Sequence, residues 1–334
     1  VGAKQKKELL TVSVIYFWHT LFSCYYWYYT LTNTADAVGY YIGSHTEEFS
    51  LNPGTAFLTT FTSLFTKVFE ANYLNTALVF NIFGSIGLIL FYKTLRHYFK
   101  SLNKFWILLI FAPSMSFWSA GLGKDAISFF ATCLFTFSLV KNQKVVILIP
   151  LAFLSMFMVR PHVAFMMLVS YVIFFIVRSR TPFAFKLLTL PMIIGGVVLS
   201  LGFIQQYVGL QDASLSGLGS YVGQRQEYNL EGGSSVDIAS MSFPMQLFTY
   251  IFRPLPFEAH SAVALLTSLE NTVFLLLFIY ILCKTKFKLS YYVEGKNLWL
   301  FLYAFFTCSI LAVTTANLGI ATRQKWMFMP VLLY

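Results

Sequence analysis

Apolar residues dominate this chain in long blocks, and the blocks recur with short polar breaks between them. Runs long enough to cross a bilayer as a helix, or nearly so, fall near 9–30, 73–92, 105–122, 126–140, 145–159, 163–177, 187–208, 261–283 and 297–316. A further run begins at 326. This pattern predicts an all-α, polytopic bundle of about ten spans. We expect one transmembrane domain covering 1–334, continuing in the natural protein beyond both ends.

Residues 55–70 follow a different rule. Phe57, Leu58, Phe61, Leu64, Phe65, Val68 and Phe69 recur at helical spacing, while Thr59, Thr60, Thr62, Ser63, Thr66 and Lys67 occupy the other positions. That amphipathic period predicts an interfacial or re-entrant helix. The long connections are 31–54 and 209–260, and the second is rich in Gly, Ser and Gln.

Composition agrees with the pattern. Hydrophobic residues make up 57% of the chain and charged residues 11%, against about 25% charged in a soluble domain. The net charge of +10 therefore reads as basic cytoplasmic loops, and no nucleic-acid partner is expected. Lysine and arginine alternate by loop. With a cytoplasmic N-terminus, the outer side holds only Lys124, Arg160, Arg225, Arg253, Arg323 and Lys325, with Lys67 unassigned. Asp36, Asp125, Glu258 and most other acids fall on that same outer side, as do both long connections. Cys24, Cys133, Cys283 and Cys308 lie in apolar runs without metal-ligand spacing and read as small hydrophobes.

Candidate chemistry gathers on the outer side, where charges stand singly beside Pro, Gly, Asn or aromatics. Asp36, in Asn33-Thr34-Ala35-Asp36, is either a solvated loop residue or a general base; a divalent metal there stays open, and no other cofactor is expected. Gly121-Leu122-Gly123-Lys124-Asp125 lacks the first Gly and the Ser/Thr of a P-loop, so nucleotide binding is rejected there. Lys124 is then either part of a local loop or a phosphate contact. Arg160-Pro161-His162 and Arg253-Pro254 each set an arginine beside a helix start, an arrangement suited to anions, or to headgroups if the arginines snorkel. Glu258 and His260 follow closely on Arg253. Glu270 lies inside a span, as a paired structural acid or a catalytic one. Arg323 and Lys325 complete the cations. His19 reads as a satisfied core histidine.

The stretches Pro113–Asp125, Arg160–His162, Arg253–His260 and Asn317–Arg323 resemble multi-pass proteins of bacterial surface-polysaccharide assembly. These are O-antigen and capsule polymerases and related GT-C-like glycosyltransferases using polyprenyl-phosphate sugars. The resemblance implies a bacterial inner-membrane enzyme that joins undecaprenyl-diphosphate-linked glycan units at the periplasmic or outer face. It implies diphosphate contacts at Lys124, Arg160, His162, Arg253, Arg323 and Lys325. It also implies a base at Asp36, or at Glu258 or His260, since GT-C enzymes often carry paired acids where Asp36 stands alone. Asp125 and Glu270 would be accessory. Expected partners are lipid-linked glycan, membrane lipids, and a chain-length regulator or other assembly proteins. The alternative reading is a lipid-linked oligosaccharide flippase or other transporter, although no internal repeat is evident.

Overall fold

The structure is a computed structural model that describes residues 2–98, 108–178, 182–188, 191, 195, 205, 215–229 and 233–334. It is all-helical, with no strand among the described residues beyond an isolated antiparallel bridge between Ser235 and Asn317. Among the described residues, four helices are long and apolar enough to cross a membrane: Tyr73–His97, Pro161–Arg178, Ala262–Lys284 and Asn297–Thr314. A bent pair, Pro113–Ala120 with Lys124–Lys141, makes a fifth if it counts as one span. The chain forms two compact units, divided at Pro161/His162, with the last two residues belonging to the first.

The first unit holds α1 (Ala3–Thr30), α2 (Asp36–Thr46), α3 (Thr55–Ser63), α4 (Tyr73–Tyr98), α5 (Pro113–Ala120), α6 (Lys124–Lys141) and α7 (Val145–Val159). Helix α4 is central, packing against α1, α5 and α6, while α7 packs on α6. Pro113 opens α5 at a position where its missing N–H costs nothing. Gly121 and Gly123 then break the chain, so the expected straight run toward 122 becomes an eight-residue helix bent 116° from its successor. Gly84 of α4 sits where a Cβ would lie 2.1 Å from the Ser119 carbonyl oxygen, so only glycine lets α4 and α5 meet this closely.

Polar side chains line the inside of this unit. His19 is fully buried in α1; its Nδ1 lies 2.5 Å from Asn81 Oδ1 and its Nε2 2.9 Å from Ser119 Oγ. A buried imidazole with both nitrogens bonded is a packing element. The helix at 55–70 is present as α3, continued by a π-helical turn at Leu64–Val68, but its orientation reverses soluble logic. Leu58 is buried together with Thr59, Thr60, Thr62 and Thr66, while Leu64, Val68 and Phe69 are exposed. The threonines are satisfied internally: Thr62 donates to the Leu58 carbonyl, Thr60 accepts from Ser50 N–H, and Thr66 bonds Ser44.

The second unit holds α8 (Pro161–Arg178), α9 (Leu215–Asn229), α10 (Phe243–Phe252), α11 (Ala262–Lys284), α12 (Ser290–Val293), α13 (Asn297–Thr314), α14 (Leu318–Gln324) and α15 (Met329–Leu332). The connection at 209–260 is thus not a plain loop, since α9 and α10 lie within it; likewise α2 lies within 31–54. Helix α10 packs on α11, α13 and α14. Trp299 of α13 donates to the Met167 carbonyl of α8, and Tyr303 donates to the Met327 carbonyl. Helix α11 exposes Val263, Leu265, Leu266, Leu269, Leu276 and Ile279, an outward apolar face of the kind a bilayer requires. The apolar run beginning at 326 folds into short turns buried in the unit. The expected span at 187–208 lies largely outside the described residues.

Candidate functional site

In the first unit the candidates meet at the N-terminal end of α6. Gly121 allows the approach, because a Cβ there would lie 2.4 Å from the Tyr26 ring. Asp125 occupies the first turn of α6, where a carboxylate complements the helix dipole. It accepts a 2.6 Å hydrogen bond from Nη2 of Arg160, the residue that ends α7. Only 9% of the Arg160 side chain and 14% of the Asp125 side chain are exposed. Arg160 Nε is buried with no acceptor among the described residues. Beside this pair, Lys124 donates to Thr55 Oγ1 at 2.9 Å and stands 5.9 Å over the Tyr40 ring. Asp36 is exposed at the start of α2, one turn before Tyr40 and on the same face. The arrangement sets two cations, one a planar fork, beside a helix start, which suits an oxyanion.

In the second unit the chemistry centres on the turn after α10. Arg253 donates through Nε to Glu258 Oε1 at 2.8 Å and also through Nη2 to that oxygen, while Leu255 N–H donates to Oε2 at 2.7 Å. Burial acts to raise the Glu258 pKa, but the bonds from Arg253 and Leu255 and the charges of Arg253 and His260 outweigh it. The carboxyl therefore titrates below its ordinary range. That makes Glu258 a poor proton acceptor and a good orienting partner for Arg253. His260 is exposed beyond it.

Lys325 departs most from its expected place. It is 1% exposed and donates to Asn271 Oδ1 at 2.5 Å, with its Nζ 5.6 Å over both Phe274 and Trp326. Burial draws its pKa down to about 8, opposed by the charge of Glu270. The lysine read as an external phosphate contact is a core residue, and Glu270 supplies the opposing charge. Asn271, fully buried, passes its Nδ2 to the Pro254 carbonyl at 3.2 Å. Arg323 is half-buried in the last turn of α14, and His162 half-buried in the first turn of α8.

The structure thus joins Asp125 with Arg160 and Arg253 with Glu258, and lets the charge of Glu270 act on Lys325. It adds Tyr40, Thr55 and Asn271 as contacts that the sequence did not single out as partners. Among the described residues, no group of three His, Cys, Asp or Glu side chains is arranged to hold a metal ion. No family model matches the chain, and neither a curated protein nor a solved structure is significantly similar to it.

Proposed function

We propose that this chain is a membrane glycosyltransferase that joins undecaprenyl-diphosphate-linked glycan units in bacterial surface-polysaccharide assembly. It would act at the periplasmic or outer face of the inner membrane, with a cytoplasmic N-terminus and about ten spans. The observation that carries this reading is the Arg160 site. Its guanidinium is held nine-tenths buried against Asp125 at a helix start, next to Lys124. Keeping a cation in so dry a place is costly unless it is paired or used, and one nitrogen of this fork has no acceptor among the described residues.

In this mechanism an acceptor hydroxyl attacks the anomeric carbon of the donor glycan. The bond from that carbon to the diphosphate oxygen breaks, and undecaprenyl diphosphate leaves. Lys124, Arg160 and the N–H groups at the start of α6 stabilise the charge growing on the leaving oxygens. Asp36, exposed at the start of α2, takes the hydroxyl proton. Glu258 serves Arg253 rather than the base role, because both its oxygens are bonded.

The test is reconstitution in vesicles with a synthetic undecaprenyl-diphosphate oligosaccharide. The expected product is a ladder, lost in Arg160→Lys with the protein still folded; a single addition selects a one-step transferase. Absence of any new glycosidic bond with the wild type overturns the enzyme reading. One observation favours transport as the second reading: Lys325 is a buried cation acted on by the charge of Glu270, which lies within the spanning helix α11, and ionisable groups so placed mark transport pathways. Movement of the intact substrate across the vesicle wall would select it.

A further inference from the structure

The polar groups buried in the second unit form a directed chain. Lys325 has only donors to offer and the Pro254 carbonyl only an acceptor. Between them stands Asn271, one of the few side chains able to accept at one end and donate at the other. The ammonium fixes the Asn271 amide with Oδ1 toward Lys325 and Nδ2 toward Pro254. Pro254 follows Arg253 directly, and the Arg253 guanidinium is fixed on its other side by Glu258, itself held by Leu255 N–H. Nothing in this chain is solvated at the Lys325 end: Lys325 is 1% exposed and Asn271 0%. The Phe274 and Trp326 rings and the Glu270 charge keep a cation tolerable there.

We infer that Lys325 is a positioning residue for the Arg253 turn, acting through the Asn271 amide, and that it sets the aim of the Arg253 guanidinium toward a phosphate-bearing lipid. The second half of the statement rests on the reading of Arg253 as a diphosphate contact; the first does not. A buried lysine of this kind does not itself meet the ligand. Its part is to remove the freedom of one amide, and through it of the backbone that carries the arginine.

Two measurements separate the halves. Hydrogen exchange across 253–259 reports the turn itself. The double variant Lys325→Met with Asn271→Leu removes both polar partners together, the substitution least damaging to folding. It is expected to speed exchange at Leu255 and Glu258 while α13 keeps its protection. Lys325→Met alone is expected to do the same. Unchanged exchange at the turn in both variants overturns the positioning role.

Binding of undecaprenyl diphosphate to the full chain in phosphatidylcholine nanodiscs reports the aim. Lys325→Met is expected to weaken binding by roughly tenfold to a hundredfold, the range a misplaced contact costs. Arg253→Lys should do likewise, and the two together should be no weaker than Arg253→Lys alone. Losses that multiply overturn action through Arg253. Normal binding by Arg253→Lys, with exchange still accelerated in Lys325→Met, overturns the diphosphate role of Arg253 and leaves the positioning of the turn standing.

Discussion

Two arginines each stand at the end of a helix with a carboxylate partner, one in each unit, and they are held in opposite ways. Arg160 reaches across 35 residues of sequence to Asp125, and the pair is nearly dry. Arg253 reaches only five residues on to Glu258, and each side chain of that pair keeps about a fifth of its surface exposed. In the near pair both carboxylate oxygens and two guanidinium nitrogens are committed. In the far pair one guanidinium nitrogen is buried without an acceptor among the described residues. A local pair can saturate itself; a long-range pair formed where helices meet retains unused donors, which a ligand can take.

The largest expected difference is in stability. Arg160→Ala strands Asp125 in a dry site and should cost about 3–5 kcal/mol, read by unfolding in mixed detergent micelles. Arg253→Ala leaves a carboxylate that still reaches solvent, so the loss should be about 1–3 kcal/mol. Equal losses would break the comparison. Gly84→Ala, which forces a Cβ onto the Ser119 carbonyl in the first unit, should cost about 1–3 kcal/mol.

The pH dependence sharpens the contrast further. The Glu258 pKa is depressed on folding, so its pair contributes fully at neutral pH, and that contribution fades as pH falls from the ordinary value of 4.5 through the lower folded value. Arg253→Ala should flatten this acid limb. Lys325 gives the opposite limb. Its pKa drops from 10.5 to about 8 on folding, so the unfolded chain binds more protons between these values, and stability should rise with pH across that window. Lys325→Met should lose the rise. The smallest effect is expected at the exposed Glu8–Arg96 pair, 3.8 Å apart, where Glu8→Gln should change stability by under about 1 kcal/mol.

The helical class was legible because long apolar runs have few other solutions, and runs such as 145–159 and 261–283 match α7 and α11 almost to the residue. The stretch Arg253-Pro254-Leu255-Pro256-Phe257-Glu258 stood out as a candidate site, but its residues read as a diphosphate contact and a base, and their pairing came only with the structure. Lys325 was not legible in the same way. Its surroundings come from α11, 54 residues earlier, and a lysine preceding an apolar run looks the same from the sequence whether it is solvated or enclosed. The inward turn of the threonine face of α3 was not legible for a different reason. Amphipathicity marks which face differs, but where the surroundings are apolar it does not say which face turns inward. Helix α9, inside 209–260, carries too few apolar residues at helical spacing to stand out from a Gly- and Ser-rich connection.

The start of α6 is the place where the diphosphate of a lipid carrier would be held. Photoaffinity labelling with a diazirine-bearing undecaprenyl diphosphate, followed by peptide mapping, addresses that directly. Labelling is expected on the segments around Thr55, Lys124 and Arg160, competed by unlabelled undecaprenyl diphosphate and lost in Arg160→Lys. Labelling confined to the outward apolar face of α11, unchanged by competitor or by that substitution, would contradict it.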